Sequence, residues 1–139
     1  MDTGLALRLK HAEHTLRANM QSVLSGEDLL FEHWQVIAAL DTNPGLRMSD
    51  IAQQAFLPPA TLTRHMDRLI ERALVVRRID PEDRRSTIGA LSSRGRELAS
   101  RLRAIETATE SELARTGNPQ LAICAVITAL GSDPASLSG

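Results

Sequence analysis

Cysteine is nearly absent: the chain holds one, Cys124, in 139 residues, which excludes an intramolecular disulfide and any CxxC zinc or redox site. No stretch reaches the roughly 18 apolar residues needed to span a bilayer. The opening Met1-Asp2-Thr3-Gly4 carries no basic leader ahead of an apolar run, so a cytoplasmic protein is expected. Catalytic constellations are missing too. There is no glycine-rich phosphate loop, no carboxylate pair at a catalytic spacing and no cysteine–histidine arrangement. An enzyme is not expected, and no cofactor is implied. His11 and His14, three apart on one helix face, could ligate a metal, but a solvated or packed pair is the simpler reading and no metal site is assigned. Cys124 in an apolar segment reads as a small buried thiol. His33 beside Trp34 could line a small-molecule pocket, though helix packing explains both.

Lysine is scarce as well: fifteen of the 16 basic residues are arginine, an excess with no functional account. The net charge is −1, which looks wrong for a nucleic-acid partner until its distribution is considered. Between Arg64 and Arg103 stand eleven arginines against six acids, a surplus of five, so the remainder carries about minus six. Such asymmetry suits a protein with one face on phosphate and the rest kept soluble. A solvated charged face is the alternative.

Apolar periodicity organises the chain, whose length suits one domain burying roughly two-thirds of its unfolded surface. Leu5, Leu9, Ala12, Leu16, Met20 and Val23 mark an amphipathic first helix. After Ser25-Gly26 a second carries Leu30, Trp34, Ile37 and Leu40, and Asn43-Pro44-Gly45 stops it. A third, short helix starts near Ser49 and covers Asp50 to Gln54. Phe56-Leu57-Pro58-Pro59 breaks the chain, and Pro59 suits the first turn of a fourth helix reaching about Arg72. On that helix Leu62, Met66, Leu69 and Ile70 form a packing face, while Thr61, Arg64, His65 and Arg68 form a free one.

Two short helices, the second bearing small polar and arginine side chains near its start, make a helix-turn-helix for a major groove. An ordinary surface helix is the alternative. Thr61 and Arg64 are early enough to reach base edges, arginine because its fork spans guanine O6 and N7; Thr63 and Arg68 suit phosphates. Glycine commonly stands in such turns where this chain has Phe56. Val75, Val76 and Ile79, then the turn residues Asp80-Pro81-Glu82-Asp83, then Thr87, Ile88 and Leu91 read as a β-hairpin. Its tip ends in Arg84 and Arg85, suited to the backbone or a narrow minor groove. Directly after a helix-turn-helix, that hairpin is a wing. The fold class expected is therefore mainly α with a small β-hairpin wing.

Three segments carry a family resemblance: Pro59-Ala-Thr-Leu-Thr-Arg-His-Met-Asp-Arg-Leu-Ile-Glu-Arg-Ala-Leu-Val75, Arg77-Arg78-Ile-Asp-Pro-Glu-Asp-Arg-Arg85 and Leu91-Ser-Ser-Arg-Gly-Arg-Glu-Leu98. Together with the Trp34 helix they resemble the multiple-antibiotic-resistance regulator (MarR) family over residues 29–98. Ala73 stands where that family usually has glycine, and Ser92 where it usually has threonine. Ala73 should strain its helix end if it must adopt positive φ, whereas Ser92 keeps a capping hydroxyl. The resemblance implies a DNA-facing set of Pro59, Ala60, Thr61, Thr63, Arg64, His65 and Arg68, joined by Arg84 and Arg85. It also implies that Asp67 pairs with a wing arginine, Arg85 first among them, tying helix to hairpin. A pair within the helix, with Arg64 or Arg72, is the alternative.

Beyond the wing, Leu98, Leu102, Ile105, Thr109 and Leu113 recur at helical spacing in a long helix ending by Gly117-Asn118-Pro119, and a last helix, Leu121 to Leu130, is apolar almost all round. A core this thin cannot satisfy those stripes. One domain is therefore expected over residues 1–139, with a winged helix-turn-helix at 29–92 and helices at 1–25 and 93–131 interlocking with a second copy in a twofold homodimer. MarR-like proteins dimerise in this way. The functional expectation is a sequence-specific DNA-binding repressor on an inverted repeat, with half-sites about 10 base pairs apart, responsive to a small-molecule effector. The runners-up are a winged-helix scaffold without specific DNA binding and, more remotely, a ligand-binding enzyme-like domain.

Overall fold

In the computed structural model, residues 4–115 are described; the expected last helix, Cys124 and the Gly117-Asn118-Pro119 stop lie outside them. The elements run α1 (Leu5–Gly26), α2 (Phe31–Thr42), β1 (Leu46–Arg47), α3 (Met48–Ala55), α4 (Pro59–Glu71), β2 (Val75–Ile79), β3 (Thr87–Leu91) and α5 (Ser93–Arg115). This is the expected winged helix-turn-helix with one addition. The wing hairpin is part of a three-stranded antiparallel sheet in the order β1-β3-β2. Leu46 opposite Gly89 and Arg47 opposite Ile88 form the added edge. Two residues cannot display a period of two, so β1 left no readable alternation. Among the described residues no helix is long and apolar enough to cross a membrane.

The chain divides into two compact units. One comprises residues up to Asn19 with those from Ala104 onward. Within it Asn19 Nδ2 donates to Thr109 Oγ1 at 3.0 Å and to Glu112 Oε2 at 3.2 Å. The buried Thr109 hydroxyl in turn donates to Ile105 O at 2.8 Å, so its lone pairs remain for Asn19.

The other unit, residues 20–103, is the winged helix. At its centre α2 buries His33, Trp34, Val36, Ile37, Ala39 and Leu40, apolar nearly all round as an enclosed helix must be. Ile51 and Ala55 of α3, Leu62, Met66 and Leu69 of α4, and Leu74, Val75 and Leu91 around the sheet complete the core. The packing face expected on α4 is the one observed, with Ile70 half-buried at its edge. At the start of α5 the Ser92 hydroxyl accepts the Gly95 amide at 3.0 Å and donates to Ala73 O at 2.6 Å. The capping role expected of it is present, and one hydroxyl also ties the ends of two helices together.

Three helices stop in the same unusual way. Asp28, Phe56 and Ala73 all have positive φ, at 57, 56 and 60°. In each case the next amide reaches back five residues: Leu29 to Leu24 O, Leu57 to Ala52 O and Leu74 to Leu69 O, at 2.9 to 3.0 Å. These are Schellman closures without glycine. Asp tolerates the left-handed region, whereas Ala and Phe set Cβ against a carbonyl. Ala73→Gly is accordingly expected to raise stability by about 1 kcal/mol, read as a higher urea midpoint at unchanged slope. A lower midpoint would show that the methyl group contributes packing that outweighs the strain.

Candidate nucleic-acid interface

Helix α4 begins at Pro59, with the extended Pro58 before it; a proline at the first position loses no hydrogen bond and fixes φ for the helix. Pro59, Ala60, Thr63 and Arg64 are exposed along its outer face, and Thr61 is half-buried. The Thr63 hydroxyl donates to Pro59 O at 3.0 Å, so a phosphate contact through it needs the rotor to turn. At the wing tip, Arg84 and Arg85 are exposed. Asx bonds hold the loop beneath them: Asp80 Oδ1 accepts the Glu82 amide at 2.9 Å and Asp83 Oδ1 the Arg85 amide at 3.0 Å, the local chemistry by which Asp makes turns.

Ion pairing sorts the arginines. Between Arg64 and Arg103, five have carboxylate partners: Arg68, Arg72, Arg77, Arg94 and Arg103. Arg64, Arg78, Arg84, Arg85, Arg96 and Arg101 have none among the described residues. Four of these six stand on the outer face of α4 and on the wing, where an incoming polyanion would meet them, and Arg96 and Arg101 stand on α5.

Three expectations are corrected. Asp67 pairs not with Arg85 but with Arg77, whose Nη2 donates to Asp67 Oδ1 at 2.9 Å. Arg77 lies in β2 opposite Gly89 of β3, next to α4 in the chain, while Arg85 lies past the turn. The helix–hairpin tie exists, but it leaves Arg85 unengaged. Arg68 is not free either: it pairs with Asp28, and with Glu71 at 3.4 Å, because the chain entering α2 passes beside the end of α4. His65 turns inward, its Nδ1 3.1 Å from Nε2 of the buried His33 and the rings edge-to-face.

That histidine pair has a readable proton arrangement. The Leu30 amide donates to His33 Nδ1 at 2.8 Å, so the neutral His33 ring keeps its proton on Nε2 and donates it to His65 Nδ1. Burial, reinforced by the neighbouring His65 and Arg68, brings His33 down from 6.5 to about 4. Burial lowers His65 too. Both groups thus bind protons more weakly folded than unfolded, so their contribution to stability is complete above pH 6.5 and is lost as pH falls toward 4. The expected loss is about 2 kcal/mol after allowance for solvent screening. Urea midpoints at pH 7 and 4.5 should fall more for the wild type than for His33→Gln; equal falls would refute the assignment.

Sequence reasoning missed Arg47 and Asp80. Arg47 Nε donates to Asp80 Oδ2 at 2.7 Å. Asp80 was visible only as a turn former, and nothing in the sequence singled out Arg47. Among the described residues no group of three or more metal-ligating side chains exists; His11 and His14 are both exposed on α1.

The MarR family model matches residues 27–86, a span from just before α2 to the end of the wing loop. The HTH-type transcriptional repressor Rv2887 of Mycobacterium tuberculosis is 28% identical over 120 residues, covering 86% of each chain. In fold, the chain is similar to NadR in complex with 4-hydroxyphenylacetate (TM-score 0.74, 21% identity, 93% of this chain and 94% of that one). It is also similar to Staphylococcus aureus MepR in a DNA complex (TM-score 0.61, 19% identity, 88% and 97%). Of these, the Mycobacterium tuberculosis relative is a repressor of transcription. The helix-turn-helix and the wing loop thus lie within the segment, residues 27–86, that matches the MarR family.

Proposed function

We propose that the protein is a sequence-specific repressor that binds an inverted-repeat operator as a homodimer in the cytoplasm and answers to a small-molecule effector. The observation that carries the reading is the selective pairing of arginines. Arg68, Arg72, Arg77, Arg94 and Arg103 neutralise carboxylates within the protein, while Arg64 on α4 and Arg84 and Arg85 on the wing stay exposed and have no carboxylate partner among the described residues. Arg64, with Thr61, reads base edges; Pro59, Ala60 and Thr63 line the approach; Arg84 and Arg85 take the adjacent backbone or minor groove. Asp67, through Arg77, orients the wing, and Arg68 and His65 brace α4 from behind.

Support for the dimer comes from α1, where Leu5 and Leu7 are 52% and 53% exposed, apolar surface that a second copy would cover. Support for a ligand comes from NadR, which is similar in fold and was crystallised with 4-hydroxyphenylacetate. An effector acts by favouring one spacing of the two recognition helices over another; equal affinity for both would shift nothing.

Selection of bound duplexes from random DNA at two salt concentrations tests this reading. An enriched inverted repeat with half-sites about one helical turn apart, bound more weakly at high salt, is the expected result. Absence of any enrichment would leave the scaffold alternative in its place.

A further inference from the structure

Arg47 sits at the junction of β1 and α3, in the extended residue that precedes the helix. Its partner Asp80 closes β2 on the far side of the sheet. The Asp80 side chain is only 8% exposed, against 44% for Arg47. Both of its oxygens are used, Oδ2 by Arg47 Nε at 2.7 Å and Oδ1 by the Glu82 amide at 2.9 Å. The Asp80 amide itself donates to Ser86 O at 3.0 Å. The loop is closed from within by the Ser86 amide on Asp83 O at 2.9 Å and the Arg85 amide on Asp83 Oδ1 at 3.0 Å. Asp80, through its buried carboxylate and its own backbone amide, thus joins the entry of the helix-turn-helix to both ends of the loop that carries Arg84 and Arg85.

We propose that Arg47 is a positioning residue for the wing: through Asp80 it holds the loop of Arg84 and Arg85 in a fixed place relative to α3 and α4. The inference rests on the DNA-binding reading above. An exposed ion pair would do little. Here the carboxylate is buried, so losing the partner leaves a charge to be resolvated and the loop free to move. A loop ordered in advance spends no binding free energy on ordering the two arginines. Asp80 is held below the ordinary carboxylate range, first by the Glu82 amide and then by Arg47, and so stays charged throughout the neutral range.

The test is the sign of a charge effect. Asp80→Asn removes a negative charge near the DNA-facing surface and keeps Arg47. If electrostatics alone matters, this variant binds the selected operator more tightly. If Arg47 positions the wing, both Asp80→Asn and Arg47→Met bind about tenfold more weakly. In an Arg84→Ala/Arg85→Ala background, measured at low salt, neither change should weaken binding further. Tighter or unchanged binding by Asp80→Asn overturns the proposal, as does an effect of either variant that persists without the wing arginines. Circular dichroism and thermal melts establish that each variant is folded. A readout free of DNA separates this inference from the functional reading. Amide exchange at Glu82 and Ser86 should be about tenfold faster in Asp80→Asn and Arg47→Met than in the wild type. Unchanged exchange overturns the clamp whether or not any operator is found; faster exchange with no operator found overturns the functional reading alone.

Discussion

Arg64→Ala and Arg84→Ala/Arg85→Ala are expected to weaken operator binding in two distinguishable ways. Losing Arg64 should cost about 1–3 kcal/mol, and the sequence profile should relax at one position of each half-site, because a guanine edge loses its bidentate donor. Losing the two wing arginines should reduce the slope of log K against log salt by about 2 per protomer. The profile in the recognition-helix segment should stay as it was. The difference follows from where each side chain stands. Arg64 projects from the early turns of α4, which a major groove can admit, whereas Arg84 and Arg85 stand on a loop beyond the sheet. Binding curves at four salt concentrations, with selection repeated on each variant, measure both. A profile unchanged by Arg64→Ala would remove it from base reading. A slope unchanged by the wing variant would remove Arg84 and Arg85 from phosphate contact.

Gly95→Ala is expected to be the most damaging single methyl group in the winged-helix unit. A Cβ there would lie 2.0 Å from Leu74 O and 3.0 Å from the Leu74 carbonyl carbon. Both are backbone atoms that cannot rotate away, and Leu74 O already accepts the Ser92 amide at 2.9 Å. Relief requires α5 to move off the chain that links α4 to β2, which would disturb the Ser92 cap and its bond to Ala73 O. We expect a loss of about 3 kcal/mol or more, a fall of roughly 10 °C in Tm. Gly26→Ala is the matched control: nothing lies within 4 Å of its added Cβ, so helix propensity should make it neutral or slightly stabilising. If both variants melt alike, the close approach at Gly95 is not what constrains the residue.

The two glycine-related positions illustrate how a sequence pattern and its cause separate. Gly95 belongs to the segment that resembles the family, yet only the packing of α5 on the Leu74 carbonyl gives the reason. At Ala73 the sequence itself points to the cause. A methyl group where the family has glycine raised the expectation of strain if φ were positive, and φ is 60°. Phe56 is the sharper case. It departs from the usual turn residue, adopts φ of 56° and leaves its ring 89% exposed; nothing in the structure explains why phenylalanine stands there.

What the sequence determined by itself was whatever depends on local spacing. Helices α1 to α5 follow from apolar residues three and four apart, the strands of the hairpin from β-branched runs around Asp80-Pro81-Glu82-Asp83, and the packing face of α4 from one helical period. The outward position of Arg64, Arg84 and Arg85 followed in the same way. Tertiary structure decided every pairing between side chains distant in sequence. It chose Arg77 over Arg85 for Asp67, drew Arg68 to Asp28 and His65 to His33, added β1 to the sheet and joined Arg47 to Asp80. The reason is geometric. Periodicity tells which way a side chain points from its own element. Which of several arginines a carboxylate meets depends on ångström-scale distances between elements, and those are set only when the whole core packs.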